Sequence, residues 1–329
     1  MNKIVLIILF ISNLVNCQEL PKVIQQIEQQ GYLYYKQTKN GPSILESDDF
    51  INLKKCASEA QLIDLTKHKN GQVKSLAFLV LASKKYNNLY DIILNQIKDT
   101  TTVTTQSGCI RRSSYTTDYF IDIVTEEYFV DLDFPKLSTE QKNTIEALLI
   151  ADNNSKLSTR TSVIFALEPT SENYNLILSL VKQEKNYAAI YNLATYKKET
   201  DKKLIASFFN DEKAKYEAVR CTFIFHDDYF YPYLKKACKK IIRDYLVDEY
   251  GYSLFFKALA KYPKQETLKF FEKTLAERDY NEYRNEKISK YILIAISKYP
   301  DPVYNSLKES IKLSPETLEE VNKELLEKD

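Results

Sequence analysis

Leu259-Ala260-Lys261-Tyr262-Pro263 returns downstream as Ile296-Ser297-Lys298-Tyr299-Pro300, with the two tyrosines 37 residues apart. Each copy closes an apolar run with an aromatic residue and then a proline, and a residue before proline is driven out of the helical region. Weaker copies stand at Leu193-Ala194-Thr195-Tyr196 and Leu81-Ala82-Ser83-Lys84-Lys85-Tyr86. A recurring phrase at a spacing of roughly 20–50 residues marks repeat architectures, in which each unit buries its apolar face only against its neighbours. The phrase describes construction and carries no chemistry of its own.

Between these helix ends the chain parses into helices of about three turns joined by short polar breaks. Leu20, Val23, Ile24 and Ile27 form one apolar stripe ending near Gly31. Val73, Leu76, Ala77, Val80 and Leu81 form another after Asn70-Gly71, and Leu89, Ile92, Ile93 and Ile97 a third that stops at Asp99. Ser138-Thr139-Glu140-Gln141 reads as a capping box, and Ser314-Pro315-Glu316 opens a last helix with proline at its first position. Residues 100–137 are less regular. Thr100 to Thr105 is β-branched, and we read it as an inter-repeat loop leading into a helix near Ser114, with a short strand as the alternative. A longer aromatic and acidic loop spans Glu126 to Leu137.

The paired helices, an alanine near the end of the first helix (Ala82, Ala194, Ala258, Ala295) and the aromatic at the turn resemble HEAT-like α-solenoid repeats, in the style of those exported by Bacteroidetes. The resemblance covers about residues 70–312 and is architectural, so it transfers no catalytic residue. It implies an all-α fold, an α-solenoid of antiparallel helix pairs, and a scaffold or interaction role with a protein partner it does not identify. The expected organisation is a secretory signal over 1–18, an N-terminal helical cap over 19–69, repeats over 70–312, and a C-terminal capping helix over 313–329.

Composition bounds the alternatives. Five isolated glycines and nine prolines in 329 residues argue against a turn-rich β fold and against glycine-rich phosphate loops. With 46 basic and 45 acidic residues interspersed, the sequence lacks the basic excess that nucleic-acid binding demands, so no nucleic-acid partner is expected. The 25 tyrosines are read as compositional bias shared with Lys, Asn and Ile, ahead of an aromatic binding platform.

Met1-Asn2-Lys3 followed by Ile4 to Ile11 reads as an export signal whose apolar core is too short to span a bilayer as a permanent helix. Leu14-Val15-Asn16-Cys17 resembles a lipoprotein box, with Asn16 where a small residue is usual. Two mature forms follow: release by ordinary cleavage near Cys17-Gln18, or a lipid anchor on Cys17. Either places the protein in the periplasm, the outer membrane or outside the cell. Four further cysteines remain, and Cys221 with Cys238, on consecutive helices, is the pairing favoured if a disulfide forms. The competing reading has all four as small buried apolar residues.

No catalytic, cofactor or metal residue is assigned. His226-Asp227-Asp228 is the most suggestive triplet, but position 226 falls opposite Pro263 in the repeat, so Asp227 or Asp228 is expected to cap the next helix. A ligand-binding or enzymatic alternative would use Cys109, Arg111 and Arg112 in the irregular stretch. Neither histidine, His68 or His226, is placed beside Cys109 by spacing. Asp48-Asp49, Asp131/Asp133 and Glu126-Glu127 are read as caps and solvated loop carboxylates.

Overall fold

The computed structural model describes residues 19–34, 44–125, 133–244, 246–277 and 281–326, and the chain divides into two compact units, Met1–Ile164 and Phe165–Asp329. The signal segment 1–18 with Cys17, and residues 126–132 of the aromatic loop, lie outside the described residues. What is described is mostly helical, with one three-stranded sheet.

The first unit runs α1 (19–30), β1 (Leu33–Tyr34), α2 (Asp48–Cys56), α3 (Glu59–Leu65), α4 (Gly71–Ser83), α5 (Leu89–Asn95), β2 (Thr102–Ser107), β3 (Ile110–Tyr115), α6 (Thr116–Val124), α7 (Thr139–Ala151) and α8 (Ser158–Phe165). Its centre is α4, where every residue from Gly71 to Ala82 is buried. A helix apolar on all sides must be surrounded, and α2, α3, α5, α6 and β2 pack around this one. Asn70 starts it by accepting from the amides of Gln72 (2.9 Å) and Val73 (3.1 Å). Phe78 stacks on Phe120 of α6 with ring centroids 4.1 Å apart.

The sheet corrects the reading of Thr100–Thr105 as a loop and of Ser114 as a helix start. Thr102–Ser107 pairs antiparallel with Ile110–Tyr115, and β1 adds parallel to β2 on the other side. Alternation is the reason: Val103 and Thr105 face inward and are buried, while Gly108 takes φ +57 at the turn. Helix α6 begins only at Thr116. Gly71 lets α4 cross this hairpin, because a Cβ there would meet the Thr102 carbonyl oxygen at 1.9 Å.

Two polar contacts tie distant segments of this core. Buried Lys74 of α4 pairs with Asp99, whose carboxylate also accepts from the Thr101 amide (2.9 Å) and hydroxyl (2.7 Å). Asp118 of α6, 2% exposed, accepts from the amides of Ser158 and Thr159 (2.9 Å each) and the Thr159 hydroxyl (2.7 Å), capping α8 from another helix.

The second unit contains α9 (Tyr174–Glu184), α10 (Ala188–Thr195), α11 (Lys202–Ser207), α12 (Lys215–Ile224), α13 (Tyr231–Arg243), α14 (Glu249–Ala260), α15 (Gln265–Ala276), α16 (Glu282–Lys298), α17 (Asn305–Ser310) and α18 (Pro315–Leu326). Alternate helices form a continuous row: α10 packs on α12, α12 on α14, α14 on α16 and α16 on α18. Their apolar faces, such as Phe255, Ala258 and Leu259 of α14 and Ile292, Ala295 and Ile296 of α16, are fully buried or nearly so.

Two buried tyrosines tie the loops of this row together. Tyr262 donates its hydroxyl to the Asp227 carbonyl (3.1 Å), and Tyr304 donates to the carbonyls of Ala260 (3.1 Å) and Tyr262 (3.2 Å). Lys264 pairs with Asp228 at 2.8 Å, and Lys202 bridges Glu199 and Asp227. The loops before α11, α13, α15 and α17 are thereby tied in series.

Candidate functional site

The residues singled out in the sequence do not converge. Cys109 is exposed at the hairpin turn. Arg111 and Arg112, being consecutive on β3, project from opposite faces of the sheet. Arg111 bonds the Gln106 side chain (2.9 Å) and lies 4.5 Å over the Tyr32 ring, whereas Arg112 borders a recess of about 140 Å³ with Thr105, Ser107 and Ile110. His68 Nδ1 accepts from the Asn70 amide at 3.1 Å.

Asp227 caps the turn into α13, accepting from the Tyr229 amide at 2.8 Å, as the repeat register suggested. Hydrogen bonding from Lys202 holds its carboxyl below the usual range. His226 lies against the Tyr262 ring, 4.3 Å between centroids, and burial together with Lys261 lowers its basicity. Among the described residues no three His, Cys, Asp or Glu side chains group as a metal site.

Cys221 and Cys238, considered as a disulfide, are separate free thiols. Each sits in its own interface: Cys221 Sγ is 3.6 Å from the Ile190 carbonyl, and Cys238 Sγ is 3.5 Å from that of Phe255. Burial pushes both thiols far above their ordinary value, which keeps them inert.

Two surface grooves of the second unit offer room for a ligand. The larger, about 720 Å³, runs among α14, α16 and α18. Its charges answer one another. Glu249 accepts from the Tyr291 hydroxyl (2.6 Å) and pairs with Lys287 (3.3 Å), Lys290 pairs with Glu320 (2.6 Å), and Lys257 with Glu324 (3.3 Å). Glu286 accepts from the Ser314 amide (3.0 Å) and the Thr317 hydroxyl (2.8 Å) at the start of α18. The Tyr291 hydrogen bond keeps Glu249 ionised below its usual range, while burial, then Glu249, raises Tyr291.

The smaller groove, about 330 Å³, separates α13 from α15. Its floor is Phe270 and Ile242, and its walls carry five cations (Lys235, Lys239, Arg243, Lys269, Lys273) against two carboxylates (Glu266, Glu277). Lys273 and Glu277 pair at 3.3 Å. Among the described residues Lys239, Arg243 and Lys269 have no carboxylate within ion-pair distance. The signal was present in the sequence as Lys235-Lys236 and Lys239-Lys240 on one helix, but a chain-wide net charge of +1 concealed it.

Comparison with protein-family models, with curated proteins and with solved structures finds no match to this chain.

Proposed function

We propose that this protein is an exported, non-enzymatic scaffold whose HEAT-like helix pairs stack as an α-solenoid and hold another protein in the grooves between helices. The observation that carries the reading is the row α10–α12–α14–α16–α18 with its loops tied in series by Tyr262 and Tyr304. Such a row buries its apolar surface between neighbours and leaves the inter-helix grooves open to a partner. Export by the 1–18 segment belongs to the same proposal, with the protein released into the periplasm or beyond. Intact-mass measurement of the mature N-terminus separates cleavage near Gln18 from lipid on Cys17.

The interaction role is tested by photo-crosslinking in the producing cell. A benzophenone amino acid placed at Tyr283 or at Lys269 samples the two grooves, and one at exposed Lys182 of α9 serves as control. Discrete protein adducts from either groove position, absent from the control, are expected. Equal adduct patterns from all three positions, or none from either groove, would count against the scaffold role.

A further inference from the structure

The two grooves differ in one physical respect. In the groove among α14, α16 and α18, most charges are already neutralised within the chain, so a charged partner would have to displace existing ion pairs. In the groove between α13 and α15, five cations face two carboxylates, and Lys239, Arg243 and Lys269 are in no ion pair among the described residues. Like charges held close together repel unless something of opposite sign lies between them, and here Glu266 and Glu277 offset only part of that repulsion.

Spacing narrows what that something is. Lys235, Lys239 and Arg243 follow one another at every fourth residue of α13, and Lys269 and Lys273 do the same on α15. Fourth residues on a helix lie about 6 Å apart along the axis. The cations therefore form two short rails rather than a converging cup, and a single phosphate cannot engage them together. Between the rails lies an apolar floor, Phe270 at 8% exposure with half-buried Ile242. A floor sunk between helices cannot enter a bilayer, and Phe270, 8% exposed, offers too little of its ring for a base to stack on. A partner that fits both elements carries an apolar stripe flanked by carboxylates.

We infer that the α13/α15 groove receives an acidic amphipathic helix from a protein partner, its apolar residues on Phe270 and Ile242 and its carboxylates on the lysine rails. The inference rests on the interaction reading above and specifies the partner's chemistry. The mode is helix-in-groove recognition, with the rails setting orientation and association rate and the floor supplying the anchor.

The test uses the full chain and a fluorescein-labelled peptide of about fifteen residues, with leucines at helical spacing between glutamates. Fluorescence anisotropy should report binding that weakens as salt rises, and no binding of a copy with lysine in place of glutamate. The double variant K239E/K269E should lose at least about tenfold in affinity, since each reversal replaces an attraction by a repulsion. K236E/K240E makes the same change in net charge at exposed positions of α13 outside the groove, and should keep the affinity; thermal melts establish that both variants fold.

Absence of peptide binding overturns the inference, as does an equal loss in the two double variants. Tighter retention of phosphatidylglycerol vesicles or of oligothymidylate, lost in K239E/K269E, reassigns the rails to another polyanion and also overturns it. If the peptide fails while crosslinking from Tyr283 still captures a protein, the scaffold role stands and the assignment of this groove falls.

Discussion

Tyr262 donates its hydroxyl to the backbone carbonyl of Asp227, 3.1 Å away and 35 residues earlier in the chain. Tyr304, in turn, donates to the carbonyl of Tyr262 at 3.2 Å. Tyr262 and Tyr304 are thus rungs between successive loops, their rings packed in the core and their polar ends satisfied, while Tyr299, the counterpart of Tyr262 in the repeated phrase, lies half-buried near Phe223. A buried phenol with no partner would lose about 1–3 kcal/mol, so the geometry of the rung constrains how far one loop can slide on the next.

Removing the hydroxyl alone isolates this contribution. Tyr262→Phe and Tyr304→Phe should each destabilise the protein by about 1 kcal/mol, because a carbonyl loses its donor while the ring remains packed. The double variant should depart from additivity, since the two rungs share Tyr262. Urea unfolding followed by circular dichroism measures both. Wild-type stability in the single variants would show that the rungs contribute nothing.

Gly71 gives a prediction whose sign is diagnostic. In an exposed helix, replacing glycine by alanine stabilises by about 1 kcal/mol. Here the added carbon would fall 1.9 Å from the Thr102 carbonyl oxygen, which belongs to backbone and cannot rotate away. Gly71→Ala should instead lower stability by about 1–3 kcal/mol, as overpacked cores do, and thermal denaturation of the variant reads the sign directly.

The Lys74–Asp99 pair makes the first unit sensitive to acid. Burial by itself would raise the Asp99 carboxyl, but hydrogen bonds from Lys74 and Thr101 prevail and hold it below its ordinary value. The unfolded chain then binds the proton more readily than the folded one, so stability rises with pH through this window. The contribution is complete above about pH 4 and is lost as pH falls through the lowered value. Asp99→Asn should abolish that acid-dependent part and also destabilise at neutral pH by about 3–5 kcal/mol, leaving buried Lys74 without its counter-charge. His226 acts in the same direction at higher pH: its depressed basicity makes protonation below about pH 6.5 unfavourable to the folded state. Stability curves of wild type, Asp99→Asn and His226→Gln against pH separate the two effects.

How much of this was legible in the residues depends on whether the signal is local. Helix ends were, because caps are written in neighbouring residues: the boxes at Ser138/Gln141 and the turn at Asp227 form as their spacing indicates. The β2–β3 hairpin was not, since Thr100 to Thr105 reads equally as loop or strand until Val103 and Thr105 are seen facing inward. Scarce glycine pointed correctly to helices over a turn-rich β fold, while the left-handed positions after α4, α9 and α10, which no local signal announces, are filled by Lys85, Lys185 and Lys197. The grooves could not be read at all. They arise where α13 and α15, separate in sequence, bring their lysines together, and no one-dimensional window contains both.

The solenoid reading makes a demand that no globular arrangement would meet. Deleting residues 263–299 removes one full period and splices Tyr262 to Pro300, recreating the Tyr299-Pro300 junction already present. The face of α14 then meets α17 and α18 in place of α16, with Phe255, Ala258 and Leu259 standing where Ile292, Ala295 and Ile296 stood. Because each repeat is stabilised by its neighbours alone, the shortened chain should remain soluble, helical and cooperative in unfolding, with a lower melting temperature. A cut over 263–290, which splices the same loop into the middle of α16, should lose cooperative unfolding and bind a hydrophobic dye. Should both deletions collapse alike, the row of helices shares one indivisible core, and a stack of repeats is the wrong description of this unit.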